Sequence, residues 1–178
     1  RSDGTTAGTT SLDPNLSDQI SSSEPIVIGG KAYFQAGNTT TGVEPWVTDG
    51  STAGTHIIAD VNSNNQSSNI NNLTRIGTTA KYVFSSNDGV KGEELWVTDF
   101  TTAGTQMVRE LQTGTENSGQ SSPSQFYAAG NKVFFRAFSD ATGWELWVTD
   151  GTSAGTRAID LNPGRPDSYI DQVYGLNG

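Results

Sequence analysis

Apolar residues come in short runs along this chain, each of strand length, and the runs recur in one fixed order. The first run is aromatic and β-branched: Lys31-Ala32-Tyr33-Phe34-Gln35-Ala36, Lys81-Tyr82-Val83-Phe84-Ser85-Ser86 and Lys132-Val133-Phe134-Phe135-Arg136-Ala137. Such residues fit a pleated, half-buried surface, and Gly or Asn bounds the runs. A glycine turn at Gly42, Gly92 and Gly143 leads into a second run, Glu-Pro-Trp-Val-Thr at 44–48 and Glu-Leu-Trp-Val-Thr at 94–98 and 145–149. In it Leu95 and Val97 alternate with Glu94, Trp96 and Thr98, which puts the two sets on opposite faces of a strand. A third run starts at Gly54, Gly104 and Gly155. A fourth, beyond a Ser/Asn-rich loop, covers 70–76, 124–129 and 169–174. No segment holds the helical period over the roughly eleven residues a helix needs.

The runs belong to a repeat. Its fullest copy is Glu145-Leu146-Trp147-Val148-Thr149-Asp150-Gly151-Thr152-Ser153-Ala154-Gly155-Thr156. Equivalent copies run from Glu94 to Thr105 and from Glu44 to Thr55, and a shortened one from Ser2 to Thr9. The motif tryptophans at 46, 96 and 147 give a period of 50 and then 51 residues. A fixed period of this length marks a propeller, solenoid or array. Four short strands per copy, joined by hairpin turns, make one blade of a β-propeller. The expected fold is therefore all-β, a β-propeller of four-stranded antiparallel blades, with the first and second strands as the inner pair. Blades are expected at 31–80, 81–131 and 132–178, with the outer two strands of a partial blade at 1–30. That is about three and a half blades, which leaves an open half-blade with an unpaired edge. The partner expected to complete it is another copy of the chain or the rest of a longer one. Two copies would supply seven blades, a common propeller size. Excision from a longer array is the favoured alternative.

The motif resembles that of the ELWxxDGT-repeat proteins, large bacterial exported and surface polypeptides. The resemblance covers essentially the whole chain. The copy from Glu145 fits letter for letter, the copy from Glu94 has Phe100 in place of Gly, and the copy from Glu44 has Pro45 for Leu and Ser51 for Thr. It implies a propeller-like, secreted or surface-anchored repeat module with no catalytic residues of its own. A looser resemblance links the Asp turn to the Asp-box hairpin of sialidase-type propellers, where the Asp is structural.

Composition narrows the partners. The net charge is -9, so a nucleic acid or an anionic membrane would repel the chain. Cysteine is absent, which rules out disulfides, thiolate metal sites and a cysteine nucleophile. No apolar run approaches the ~20 residues that span a bilayer as a helix. The absence of an initiating Met and of a signal peptide suggests a mature fragment or a processed piece.

The candidate chemistry sits mostly in the repeat. The turn acids Asp3, Asp49, Asp99 and Asp150 precede Gly in three of four copies. They read as acceptors for backbone N–H groups, with Gly supplying the positive φ. Phe100 in the Gly position implies a different turn type or strain. Glu44, Glu94 and Glu145 share a strand face with Trp46, Trp96 and Trp147, and Lys31, Lys81 and Lys132 are the opposite charges available to them. One Glu per copy at an equivalent place suits a hydrogen-bonding or ion-pairing role better than an acid/base pair, which needs two convergent carboxyls.

Outside the motif, Asp60, Asn62 and Asn64 place three oxygen side chains at alternate positions, the way calcium loops begin. Calcium is thus the one cofactor to consider, although a central Gly and closing Glu are missing and Asx-turns are commoner. Trp144 stands where the other copies have Val43 and Glu93, and such a Trp can stack on a sugar or pack against a neighbouring blade. His56, the single histidine, occupies a variable position, so zinc and Ser-His-Asp chemistry are disfavoured. Sequons at Asn15, Asn38, Asn65 and Asn72 are expected by chance in a chain so rich in Asn, Ser and Thr. The leading function is non-catalytic: extracellular or cell-surface adhesion, scaffolding or protein assembly. The alternatives are a carbohydrate-binding, lectin-like propeller and a propeller enzyme with its site at the central axis.

Overall fold

The computed structural model describes residues 1–14, 16–20, 24–38, 40–114, 121–163 and 167–174. Two of the segments above, Asn15 and the chain end at 175–178, lie outside them. Every regular element among the described residues is a strand. The chain divides into two compact units, Arg1–Ser68 and Asn69–Gly178.

The first unit contains β1 (Leu16–Ile20), β2 (Ile26–Ile28), β3 (Lys31–Asn38), β4 (Gly42–Thr48) and β5 (His56–Ile57). β2, β3, β4 and β5 pair antiparallel in chain order, and β1 joins the same edge of β3 as β2, Leu16 opposite Asn38. The second unit contains two sheets. β6 (Asn71–Arg75), β7 (Tyr82–Asn87), β8 (Glu93–Thr98) and β9 (Gln106–Arg109) form one, and β10 (Ser124–Ala129), β11 (Lys132–Ser139), β12 (Gly143–Thr149) and β13 (Arg157–Ile159) the other. Each is a four-stranded antiparallel meander, with the first and second sequence runs as its central strands.

Register repeats with the sequence. Phe34 faces Trp46, Phe84 faces Trp96 and Phe135 faces Trp147 across the central pair. The sheets run one strand out of phase with the sequence period. The fourth run of one copy, Asn71–Arg75 or Ser124–Ala129, pairs with the first run of the next copy. Loop length explains this. The β6–β7 link is a hairpin closed by Ile76 N–H donating to the Lys81 carbonyl at 2.9 Å, whereas the β9–β10 link is long. The expected blade starts at 31, 81 and 132 therefore fall at the beginning of the second strand of each sheet, not of the first. The expected strand at 169–174 is not formed. Its backbone meets no ladder partner among the described residues. Instead the Gln125 amide donates to the Asp171 carbonyl at 2.6 Å and accepts from Val173 N–H at 2.8 Å.

The first strands of both sheets in the second unit carry a bulge, between Asn71 and Thr74 and between Ser124 and Tyr127. Asn72 and Gln125 sit in these bulges with φ of 59° and 56°. Each bulged strand bends and sends its amide towards the following segment: Asn72 Nδ2 reaches the Pro123 carbonyl at 3.5 Å.

The two sheets of the second unit pack face to face. The β6–β9 sheet contributes Val83, Leu95, Val97, Val108 and Leu111, and the β10–β13 sheet contributes Val133, Phe135, Ala137 and Trp147. Burying each of the larger side chains is worth about 1.5–3 kcal/mol. The β12–β13 turn presses on its neighbour so closely that a Cβ on Gly151 would lie 2.5 Å from the Ile76 Cδ1.

Candidate functional site

The densest polar chemistry lies around the repeated glutamates. Glu44, Glu94 and Glu145 have no solvent-accessible surface. β4, β8 and β12 place them opposite Ala36, Ser86 and Ala137, small residues that leave room for a carboxyl to turn towards the loop after the third strand. Glu94 Oε2 accepts from Leu111 N–H at 2.9 Å and from the Ser121 hydroxyl at 2.7 Å. Glu44 Oε2 accepts from Val61 N–H at 2.9 Å and Oε1 from Asn62 N–H at 3.3 Å, and the Ser68 hydroxyl donates to the same carboxyl. Glu145 Oε2 accepts from Leu161 N–H at 3.3 Å and from the Ser168 hydroxyl. The serine backbones close the clamp from the other side. Ser68, Ser121 and Ser168 N–H donate to the carbonyls of Val43, Glu93 and Trp144 at 3.0, 3.1 and 3.0 Å. Burial pushes the Glu44 and Glu94 carboxyls up to about 7, against the lowering effect of these hydrogen bonds.

The serines were not singled out by the sequence pattern. Each glutamate finds its serine at a different separation, 27 residues for Glu94 and 23 for Glu145, because the loops between differ in length. Their signal is a Ser near the start of each fourth run, visible only once the loop is allowed to vary.

The turn acids form a second repeated arrangement. Asp3, Asp49, Asp99 and Asp150 each accept through Oδ1 from both the N–H and the hydroxyl of the residue two places on, at 2.6–3.0 Å. That same hydroxyl accepts from the N–H of Gly8, Gly54, Gly104 and Gly155. Thr9, Thr55, Thr105 and Thr156 then donate back to the turn, closing the Ala-Gly-Thr end of the motif. These hydrogen bonds hold all four carboxyls below the usual carboxylate range. Lys31, Lys81 and Lys132 add to the effect at Asp49, Asp99 and Asp150. The strand lysines thus serve the turn aspartates; among the described residues no ion pair joins them to the strand glutamates, and the pair formed is Lys91–Glu110 at 3.0 Å. Phe100 keeps the same turn as its glycine counterparts, at a φ of 65°, with its ring 4.9 Å from that of Tyr82.

The remaining candidates do not converge. Asp60 and Asn64 are exposed, while Asn62 is buried and already used. Its Oδ1 accepts from Asn64 N–H at 3.2 Å and its Nδ2 donates to the Ser67 carbonyl at 3.4 Å, an Asx-turn within the loop. No group of three or more His, Asp or Glu side chains suited to a metal occurs among the described residues. Trp144 is half-buried. The Arg136 guanidinium lies 3.8 Å above its ring centroid, and Phe138 meets it edge-on at 5.7 Å. His56 is exposed on β5. Trp46 and Trp147 are buried, and the indole N–H groups of Trp46, Trp96 and Trp147 find no acceptor. A shallow groove lined by Lys81, Asp99, Gln106, Met107 and Thr152 holds a single carboxyl, which the turn already binds. The motif's Asp and Thr side chains are therefore joined to one another and to backbone, and each Glu to backbone and a serine, while Glu94 Oε1, Glu145 Oε1 and the three indole N–H groups have no partner. No described cleft brings a nucleophile, a base and an oxyanion donor together.

The chain matches no family model, no curated protein and no solved structure.

Proposed function

We propose that this chain is a non-catalytic repeat module of an extracellular or cell-surface protein, built as part of a β-propeller and serving assembly or attachment. The observation that carries this reading is the repeated use of the motif's Glu, Asp and Thr side chains in equivalent internal hydrogen bonds. A motif spent on holding each sheet and its crossover leaves the variable loops and outer faces for contacts. Face-to-face packing of two successive sheets in the Asn69–Gly178 unit supports a propeller, where that packing step repeats about an axis. The resemblance to ELWxxDGT-repeat proteins supports the extracellular setting and the ELWxxDGT identity. No helix of the described residues is long and apolar enough to cross a membrane.

Antibody labelling of intact source cells tests the setting: surface staining supports it, and staining only after permeabilisation overturns it. Electron microscopy of the assembled particle tests the propeller by counting blades around an axis. A glycan array tests the module against a lectin. The assembly reading expects no binding, consistent with a Trp144 ring already occupied by Arg136 and Phe138.

A further inference from the structure

In the Asn69–Gly178 unit, one sheet face receives the next sheet. Its residues are Val83, Leu95, Val97, Val108 and Leu111, at 0, 0, 4, 8 and 8% exposure. Strand register maps them onto Phe134, Leu146, Val148, Ile159 and Leu161 of the β10–β13 sheet. The second set is as apolar as the first, yet Leu161 is 57% exposed where Leu111 is 8%, and Phe134, Leu146 and Ile159 are only half-buried, with Val148 alone of the five buried. The face is also widened: Phe138 and Trp144 stand at the positions of Asn87 and Glu93. Arg136 replaces Ser85 at its centre, with its Nε buried and unpartnered.

What such a face receives is equally visible. In the described interface it takes the opposite face of a sheet, where Val133, Phe135 and Ala137 are fully buried and Trp147 is at 5% exposure. The first sheet carries that inserting face as Ala32, Phe34, Ala36 and Trp46. There Ala32 and Phe34 remain half-buried where Val133 and Phe135 are sealed, and Thr48 is half-buried where Thr149 is sealed. One receiving face and one inserting face thus stand partly uncovered on the same chain. Two different, complementary faces make a head-to-tail contact between copies.

We infer that the receiving face of the β10–β13 sheet binds the Phe34–Trp46 face of a second copy of this chain. This rests on the assembly reading above and names its surface. Sedimentation of the full chain across a range of concentrations tests it. The expected result is reversible association, weakened about tenfold or more by Leu161→Arg or by Phe34→Ser. Leu161 is exposed enough that its substitution leaves the fold intact, which an unchanged thermal melt verifies. Mixing the two variants supplies one intact inserting face and one intact receiving face, so hetero-association stronger than either variant's self-association is expected. A wild-type chain that stays monomeric at all concentrations overturns the inference, as does a Leu161→Arg chain that associates like wild type. Either failure leaves cell-surface staining unaffected, so the module reading stands or falls separately.

Discussion

The Ser121 hydroxyl donates to the Glu94 carboxylate at 2.7 Å across 27 residues of chain, and neither group touches solvent. This bond ties the central strand β8 to the segment that opens the next sheet. The same glutamate holds the start of the intervening loop through Leu111 N–H. One side chain therefore sets where a sheet ends and where its neighbour begins, and the arrangement recurs at Glu44 and Glu145. Crossovers of different length can leave and return at the same places because both ends are fixed on one carboxyl.

Glu94→Ala is expected to destabilise the chain by roughly 3–5 kcal/mol, since it orphans a buried N–H and a buried hydroxyl and opens a cavity. Ser121→Ala removes one donor and is expected to cost about 1–2 kcal/mol. Glu94→Gln keeps the acceptor oxygen and the volume, so its cost is expected near 1 kcal/mol. Urea unfolding midpoints in this order, Ala lowest and Gln nearest wild type, confirm the clamp. An Ala variant as stable as wild type removes it.

The raised carboxyls give stability a definite pH profile. A Glu44 or Glu94 held near 7 when folded and at 4.5 when unfolded binds more protons in the folded state between those values. Their contribution is complete below about 4.5 and is lost as pH rises through 7. The turn aspartates act oppositely. Their folded values lie below the ordinary aspartate value of 3.8, so their contribution is present above it and lost as pH falls further. Stability is thus expected to peak near pH 4–5 and fall by on the order of 1–3 kcal/mol per glutamate by pH 8. Denaturation at pH 5 and pH 8 measures this, and Glu94→Gln is expected to flatten the slope.

Much of this was legible from the residue pattern, because the causes are local. Alternation of Leu95 and Val97 with Glu94 and Trp96 located a two-faced central strand. The Asp-Gly spacing located the turn and assigned its acid a structural role. Strand grouping was not legible, because the period does not say whether Asn71–Arg75 pairs backwards or forwards; the short 76–81 hairpin decides it. The charge partners were not legible either. Lys81 is nearer in sequence to β8 than to Asp99, yet pairing Tyr82 with Thr98 brings it beside the turn. The Asp60–Asn62–Asn64 spacing suggested oxygen ligands, but burial of Asn62 under Glu44 turns its amide inward.

The motif glycine at 104 has a steric cause that its neighbours in the turn reveal. A Cβ there would lie 1.9 Å from the Asp99 Oδ1, in the space the carboxylate needs to meet Thr101. Gly104→Ala is therefore expected to cost about 2–4 kcal/mol through loss of the Asp99 bonds. Gly130→Ala is the control. Its φ is 59° with nothing within 4 Å of the added carbon, so only the left-handed backbone penalty of about 1–2 kcal/mol applies. Thermal melts are expected to separate the two by several degrees. Equal losses would show that the turn tolerates displacement of its acid.

Phe100 shows how the turn survives without its glycine. At a φ of 65° a phenylalanine carries a left-handed penalty of about 1–2 kcal/mol that Gly50 and Gly151 avoid. Its ring lies 4.9 Å from Tyr82 at 52°, a tilted aromatic pair worth about 0.5–1.5 kcal/mol beyond its buried area. The two effects are of similar size and opposite sign, so Phe100→Gly is expected to change stability little in the wild-type background. With Tyr82→Ala in place the compensation is gone, and the same Phe100→Gly change is expected to stabilise by about 1 kcal/mol. The double-mutant cycle reads the coupling directly. A Phe100→Gly effect that is identical in both backgrounds would mean that the Tyr82 ring does not offset the strain, and that Phe100 is held by the turn hydrogen bonds alone.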